Sequence, residues 1–530
     1  MGYKLNETQQ MAVDSMDSKI LCLAGAGTGK TRTMIERIVK LVKCGADPKS
    51  ILALTFTNAA AFEMRSRYAE YMPNGESPDF RTFHSYCYEI LSDSADIRKS
   101  LGYSTLPEIA DERKQKRIER EAILQSGIKM TQKKMNDIMH LSAREVRDLE
   151  ILEKCKRRLM HKENLITFDE LCSSICSLFI KKDPLVQKYR DSIKYLHVDE
   201  YQDTDRTQHS FVMSFEDSAN IFLVGDPLQS IYSFRGSVPD IIKSIAINPN
   251  WTIIKLTHNY RSTNEICDFA NDFSVTYADD SYRIPIISDR VGRPVDCRRY
   301  KHNDIFDRIA VECKNFTGSV AILARTNAEC DDIRSELDKH DVQYSTVHKE
   351  LDAKYLLPSV TDSLYMINWL ATFLPSEQYS EFLRIDKTST VNGDSYTERQ
   401  FMSHFGGNKD IHSRAEIIYV IRGILNSGKS IENKKNAILE TIGYPNLNIE
   451  VFDGMTVADL ISRIVNALDE QPQQESDVYV GTIHSVKGLE YDTVYVMGVN
   501  GYRFNLDSEE NKNIYYVAIT RARDNLVIYS

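Results

Sequence analysis

The sequence predicts an α/β fold built on parallel sheets, each interrupted by a mainly helical insertion, and three observations carry that prediction. At 530 residues the chain is longer than one hydrophobic core organises. Short apolar runs recur at Ile20–Leu23, Ile193–Val198 and Ile221–Val224, as in strands buried on both faces. Each run gives way at once to a polar or glycine-containing turn, whereas the long stretches between them carry helical periodicity.

Composition sets the outer limits. With 42% hydrophobic and 27% charged residues the chain has the make-up of an ordinary globular protein. No window approaches eighteen uninterrupted apolar residues, so no membrane span or membrane partner is expected. Met1–Gln10 is polar and lacks an apolar signal core, which points away from export and toward the cytoplasm. The ten cysteines form no C-x-x-C pair, as suits a reducing compartment. Cys172 and Cys176 fall four apart on one predicted helix face and read as buried thiols rather than metal ligands, because no second ligand pair lies nearby. A net charge of −10 excludes a protein that coats nucleic acid by charge alone, though not one whose contacts are confined to a channel.

The first apolar run leads into Ala24-Gly-Ala-Gly-Thr-Gly-Lys-Thr31, and Met34, Ile35, Ile38, Val39 and Val42 then recur at helical spacing. Strand, glycine loop and helix form the setting of a phosphate-binding loop. Gly25, Ala26, Gly27, Thr28 and Gly29 would turn backbone N–H groups toward phosphate oxygens at a helix N-terminus. Lys30 would reach the β- and γ-phosphates of ATP, and the Thr31 hydroxyl would ligate Mg²⁺. Ala24 stands where the strict pattern begins with glycine, so the match is a relaxed one.

The run ending at Val198 is followed by Asp199-Glu200-Tyr201-Gln202-Asp203. Asp199 at the strand end would hold the metal and Glu200 would polarise the attacking water. Read alone these residues are equally an acidic turn; the upstream loop favours catalysis. The third run leads to Gln229, a neutral side chain able to sense a γ-phosphate. Three elements at strand ends fit ligand binding at the carboxyl edge of a parallel sheet.

Beyond these motifs the chain resembles the superfamily 1 helicases of the UvrD/Rep/PcrA group. The matches run in family order: Leu5–Gln9, Ile51–Asn58, Thr82–Ser85, Val198–Thr204, Val224–Gly236, Asn259–Thr263, Ala321–Asn327, Thr482–Glu490 and Tyr516–Ala522. The resemblance implies two RecA-like P-loop domains and an ATP-dependent DNA helicase or translocase that moves 3′ to 5′ on single strands or at single-strand/duplex junctions. It implies that Gln9 reads adenine, Tyr260 stacks on it, Arg32 lies beside the nucleotide and Glu490 takes the ribose hydroxyls. Arg261 and Arg521 would be arginine fingers that stabilise the transition state when the cleft closes.

For DNA it implies stacking platforms at Phe56, Tyr232 and Phe234, with Arg235, Arg325, Asn327, Thr482 and His484 meeting backbone or sugar. Four positions depart from the family pattern. Ala59 replaces a common lysine, Pro227-Leu228 resembles the RecB/AddA branch, Phe234 replaces a frequent tryptophan and Lys512-Asn513 stands where an arginine pair is frequent. The charge runs at Asp111–Arg120, Lys129–Lys134, Arg144–Arg147 and Lys154–Arg158 read as solvated helix faces.

The motifs divide the chain into a first motor domain (1–92 and 190–255) carrying the insertion 93–189, and a second (256–350 and 475–530) carrying a shortened insertion, 351–474. Helices are expected at Val360–Phe373 and Arg414–Leu425, and a linker at Gln471–Glu475. The last strand ends one residue before Ser530, so no appended nuclease or docking tail is expected. That shortness also suits an alternative, a DNA-sensing regulatory ATPase subunit partnered by a nuclease, as in phage-defence systems such as Gabija. A replication or repair protein is the other partner class expected.

Overall fold

The computed structural model describes residues 4–73, 75–110, 112–128, 143–232, 236–299, 305–315, 318–345, 389–391, 394–396, 430–441, 451, 460, 477–500 and 503–530. The expected helices at 360–373 and 414–425 and the linker at 471–475 lie outside these residues. The chain forms two compact units, one of residues 1–305, 320–331 and 482–530, the other of 306–319 and 332–481. The second unit's described parts include an antiparallel strand pair, Ser389–Val391 with Asp394–Tyr396, and the helix Ile431–Thr441. The candidate site belongs wholly to the first unit.

In chain order that unit carries strands β1 (Lys19–Ala24), β2 (Ile51–Thr55), β3 (Asp79–Thr82), β4 (Glu108–Ile109), β5 (Leu165–Ile166), β6 (Tyr195–Val198), β7 (Asn220–Gly225), β8 (Thr252–Leu256), β9 (Asp296–Arg298), β10 (Val320–Ala324), β11 (Tyr491–Val496) and β12 (Ala522–Tyr529). The first sheet is ordered β3-β2-β6-β7-β1-β8, with every neighbouring pair parallel. A second sheet runs β10-β11-β12-β9, again parallel. The parallel α/β class expected from the apolar runs is the class observed.

Strand period explains why β1 is apolar throughout. Leu21 and Leu23 join one core cluster with Leu196, Val198 and Leu223, while Ile20, Cys22 and Ala24 join the cluster on the opposite face with Met34, Ile38 and Val224. Both faces are covered, so the strand has no solvent side to mark with polar residues. Because β6, β7 and β1 are adjacent, their carboxyl ends bring the Asp199, Asp226 and Gly25 loops side by side. Segment 93–189 packs its own small core from Ala110, Ile118, Ala122, Leu152 and Leu159, with helices Glu112–Ser126 and Ala143–Lys162 flanking it.

Candidate functional site

The candidate phosphate-binding loop is held open by its backbone. Gly27 and Gly29 have φ of +68° and +79°, the left-handed region that side chains avoid. A Cβ on Gly27 would sit 2.8 Å from Asn259 Nδ2. Gly29 is the N-cap of the helix Lys30–Lys43 and, being glycine, supplies no side-chain cap to the N–H groups of its first turn. The Lys30 ammonium lies 3.5 Å from the Ala24 carbonyl, and Thr28 Oγ1 donates to the Gly25 carbonyl at 2.8 Å.

A buried carboxylate, Asp199, and a half-buried one, Glu200, face this loop. The Thr31 hydroxyl donates to Asp199 at 3.1 Å, and the Glu200 N–H donates to the other Asp199 oxygen at 2.9 Å. Burial, reinforced by the Glu200 charge, pushes the Asp199 carboxyl up to about 7 against the pull of Lys30. Burial would raise Glu200 too, but Lys30, Lys487, Gln202 and Arg521 together hold it below its ordinary value. The result is an ionised Glu200 beside an Asp199 that gains most from a cation, a donor set that fits Mg²⁺. Glu200 itself adopts a left-handed backbone (φ 50°), a strained conformation in a residue with a Cβ.

The second sheet reaches the same carboxyl edge. Arg521, at the start of β12 and 1% exposed, donates to Gln229 Oε1 at 2.9 Å, and Gln229 donates in turn to Asp226 at 2.7 Å. Arg261 donates to Glu490 at 2.5 Å and to the Thr520 carbonyl at 3.0 Å. Arg523 holds the other Glu490 oxygen at 2.9 Å. Burial alone would raise Glu490, but Arg261 and Arg523 bring its carboxyl down to about 2. In this structure, therefore, Glu490 is an arginine clamp, and Arg261 is engaged by protein rather than free.

On the other side of the loop, Asn6 and Gln9 form a reciprocal capping box at the helix Glu7–Asp14, which fixes the Gln9 rotamer. Gln9 Nε2 donates to the Thr28 carbonyl at 3.0 Å, and the Tyr260 hydroxyl donates to Gln9 Oε1 at 3.3 Å. Tyr260 keeps 42% of its surface exposed. Arg32 lies 3.9 Å from Glu36 one turn on.

Among the predicted strand contacts, Phe56 packs edge-on against Phe83 with ring centroids 6.2 Å apart. Tyr232 is half-buried, with Lys487 Nζ 4.7 Å from its ring centroid and the His484 ring 6.4 Å away. Phe56 and Tyr232 line one cleft of about 940 Å³ with His84, Lys156, Arg157 and Cys172. Arg325 donates to Asn511 at 3.3 Å, Asn327 is exposed at a helix start, and Thr482 precedes the short turn that carries His484. Phe234 and Arg235 lie outside the described residues.

Several residues have roles that motif reading did not assign. Asn259, 1% exposed, donates to the Ala26 carbonyl at 2.8 Å and accepts from the Arg261 N–H at 2.7 Å, joining the loop to its arginine. Lys487 forms a buried ion pair with Asp203, although 284 positions separate them. Gln202 donates to Glu200 and accepts from the Asp226 N–H. Lys156 and Arg157, expected on a solvated face, are half-buried and exposed respectively and also border the cleft. The first three sit inside recognised strings, so a signal existed; Lys156 and Arg157 had none. Two departures from the family pattern also meet: Asn513 Nδ2 lies 3.4 Å from the Pro227 carbonyl and 3.2 Å from that of Ser230.

A phosphate loop, paired carboxylates and an arginine-to-glutamine link from a second parallel sheet define the class of P-loop nucleotide-driven motors. Residues 5–158 and 148–249 match the UvrD/REP helicase N-terminal domain, and residues 254–351 and 378–530 match the UvrD-like helicase C-terminal domain. The chain belongs to the UvrD-like family of ATP-dependent DNA helicases. It is 26% identical to a probable DNA helicase II homolog of Mycoplasma capricolum, over 99% of this chain and 84% of that protein. It is 27% identical to the ATP-dependent DNA helicase PcrA of Bacillus subtilis, over 99% and 82%. The ATP-dependent DNA helicase Rep of Buchnera aphidicola is 27% identical over 98% and 94%. Among the described residues no helix is long and apolar enough to cross a membrane.

Proposed function

We propose that the first unit hydrolyses ATP, that it couples hydrolysis to 3′-to-5′ movement along single-stranded DNA, and that it works in the cytoplasm. The observation that carries this reading is the buried Arg521–Gln229–Asp226 chain, which ties an arginine of the second sheet to the phosphate-sensing loop of the first. Glu200, ionised by Lys30 and Lys487, accepts a proton from the attacking water and orients it. Lys30, Arg521 and Arg261 supply positive charge where it develops on the phosphoryl group. A bound Mg²⁺, held by Thr31 and Asp199, would neutralise phosphate charge. Gln9 and Tyr260 hold the base, and Arg32 flanks the nucleotide.

Tyr232 and Phe56 offer stacking surfaces, each worth about 1–3 kcal/mol per base. Lys487 sits between Tyr232 and the Asp203–Glu200 segment, so a base on Tyr232 and the state of the carboxylates share one cation. The test is ATPase and strand displacement on 3′-tailed, 5′-tailed, forked and blunt duplexes. Strong stimulation by single strands, abolished in Lys30→Ala and Glu200→Gln, is expected with displacement from 3′ tails. Robust ATPase without displacement from any of them would replace the helicase reading with that of a regulatory subunit for a nuclease.

A further inference from the structure

Cys172 and Cys176 lie one turn apart on the helix Phe168–Ile180, and the fold brings Cys87 of the helix Phe83–Asp93 against them. The three sulfur atoms all fall within 4.8 Å of one another, with Cys87 Sγ 3.9 Å from Cys172 Sγ and Cys172 Sγ 3.8 Å from Cys176 Sγ. All three side chains are buried in the main core, where a leucine or valine would serve packing equally well. Metal–sulfur bonds of about 2.3 Å place thiolates about 3.8 Å apart around a tetrahedral cation and about 4.0 Å apart around a trigonal one. The Cys87–Cys172 and Cys172–Cys176 separations match that spacing.

Cys172 alone of the three also lines the cleft, beside His84 and Asp205. That opening gives an entry path and a position for a fourth donor. The same wall carries Asp169 and Glu170, so its potential draws cations inward.

We propose that Cys87, Cys172 and Cys176 form a binding site for one thiophilic d¹⁰ cation of the zinc class, loaded from the cleft past Cys172 and completed by water from the cleft. Binding converts thiols to thiolates and releases their protons to solvent, with no change of oxidation state. The bound cation staples the helix that follows β3 to the helix Phe168–Ile180, at the wall of the cleft that holds Phe56 and Tyr232. The site stands whether or not the strand-binding reading does.

The test uses the full chain, stripped by chelator, kept reduced and titrated with Cd²⁺ as a spectroscopic stand-in for Zn²⁺. A sulfur-to-cadmium charge-transfer band saturating at about one equivalent is expected, displaced by Zn²⁺ and accompanied by a higher melting temperature. Cys172→Ser and Cys176→Ser should lose both, while Cys44→Ser and Cys297→Ser, at exposed positions, should keep them. A band that survives simultaneous replacement of all three cysteines overturns the proposal. Should those variants unfold, the wild type still decides: one equivalent of Zn²⁺ slows alkylation of Cys172 at least tenfold if the site exists. Unchanged alkylation, or a Cys87–Cys172 disulfide as the sole product of oxidant treatment with no metal bound, shows an inert or redox-active thiol cluster instead.

Discussion

The nucleotide edge and the cleft beside it are built on opposite principles. At the nucleotide edge Asp199, Asp226, Gln229 and Arg521 are all 3% exposed or less, and each is fixed by hydrogen bonds to named partners. Along the cleft, Phe56 and Tyr232 are half-buried and its cations are met by acids: Lys156 lies 3.7 Å from Glu153 and Arg157 lies 3.5 Å from Glu170. The first arrangement places charge to a fraction of an ångström, as stabilising a transition state requires. The second offers ring faces along a wall on which acids outnumber cations, which suits stacking on any base better than a track of phosphates. Chemistry and grip are thereby separated, and perturbations should separate them too.

The largest effect is expected at the buried link. Arg521→Ala should lower kcat about 10²–10³-fold in steady-state ATPase assays, as removal of a preorganised transition-state donor does. Single-strand affinity should be unchanged, because Arg521 does not line the cleft. Arg521→Lys, which keeps the charge but cannot fork between Gln229 and the Val517 carbonyl, should recover only part of the loss. If both variants also lost strand binding, the separation of the two regions would fail.

Tyr232→Ala is the complementary break. Loss of one stacking platform should weaken single-strand binding by about 1–3 kcal/mol, roughly 5- to 150-fold in Kd by fluorescence anisotropy. The slope of log Kd against log salt should stay unchanged, because no phosphate contact is removed. A reduced slope would mean that Tyr232 acts by positioning Lys487 against phosphate rather than by stacking.

Between the two regions stands Lys487. Lys487→Met should lower basal ATPase, because it removes one of the cations that hold Glu200 ionised, and should lower its stimulation by single strands about tenfold further, a typical size for coupling between sites. It strands Asp203 in the core, so stability should fall by about 3–5 kcal/mol in urea denaturation. Adding Asp203→Asn, whose carboxyl burial already lifts to about 6, should restore most of that stability but not the stimulation. Restored stimulation would make the pair a structural plug with no part in coupling.

What could be read in advance follows the same divide. Lys30, Thr31, Asp199 and Glu200 stood out because phosphate and metal chemistry would demand those residue types at strand ends, and the fold brings Thr31, Asp199 and Glu200 into contact. The parallel sheets were legible because β1, β6 and β7 are buried on both faces and read as apolar runs. Lys487–Asp203 was not legible as a pair, since nothing in either string states that residues 284 positions apart touch. Lys156 and Arg157 read as a solvated helix face, and Arg157 is exposed; that this face also borders a cleft was not legible, because a cleft wall and an exposed helix use the same residues. Cys87 carried no signal at all, since its meeting with Cys172 depends on two helices packing across 85 positions. Glu490 was assigned to ribose by resemblance, whereas the structure gives it two arginines.

That last difference supports the smallest prediction, read from acid unfolding. The Glu490 carboxyl is held at about 2, below its ordinary value of about 4.3, because Arg261 and Arg523 favour the charged form against burial. A depressed carboxylate contributes stability above its unfolded value and loses it as pH falls through its folded value. The contribution should therefore be complete above about pH 4.5 and gone near pH 2. The group is half-exposed, so the effect is screened and modest. Melting temperatures of wild type and Glu490→Gln should differ at pH 6 and converge toward pH 2.5. A constant difference would assign the loss to packing rather than charge. The same variant reports on the arginine finger proposed at Arg261: with Glu490 neutral, Arg261 is released from an ion-pair partner. If engagement of Arg261 limits hydrolysis, basal ATPase at pH 7 should rise in Glu490→Gln; if Glu490 is needed at the ribose, the KM for ATP should rise instead while kcat holds.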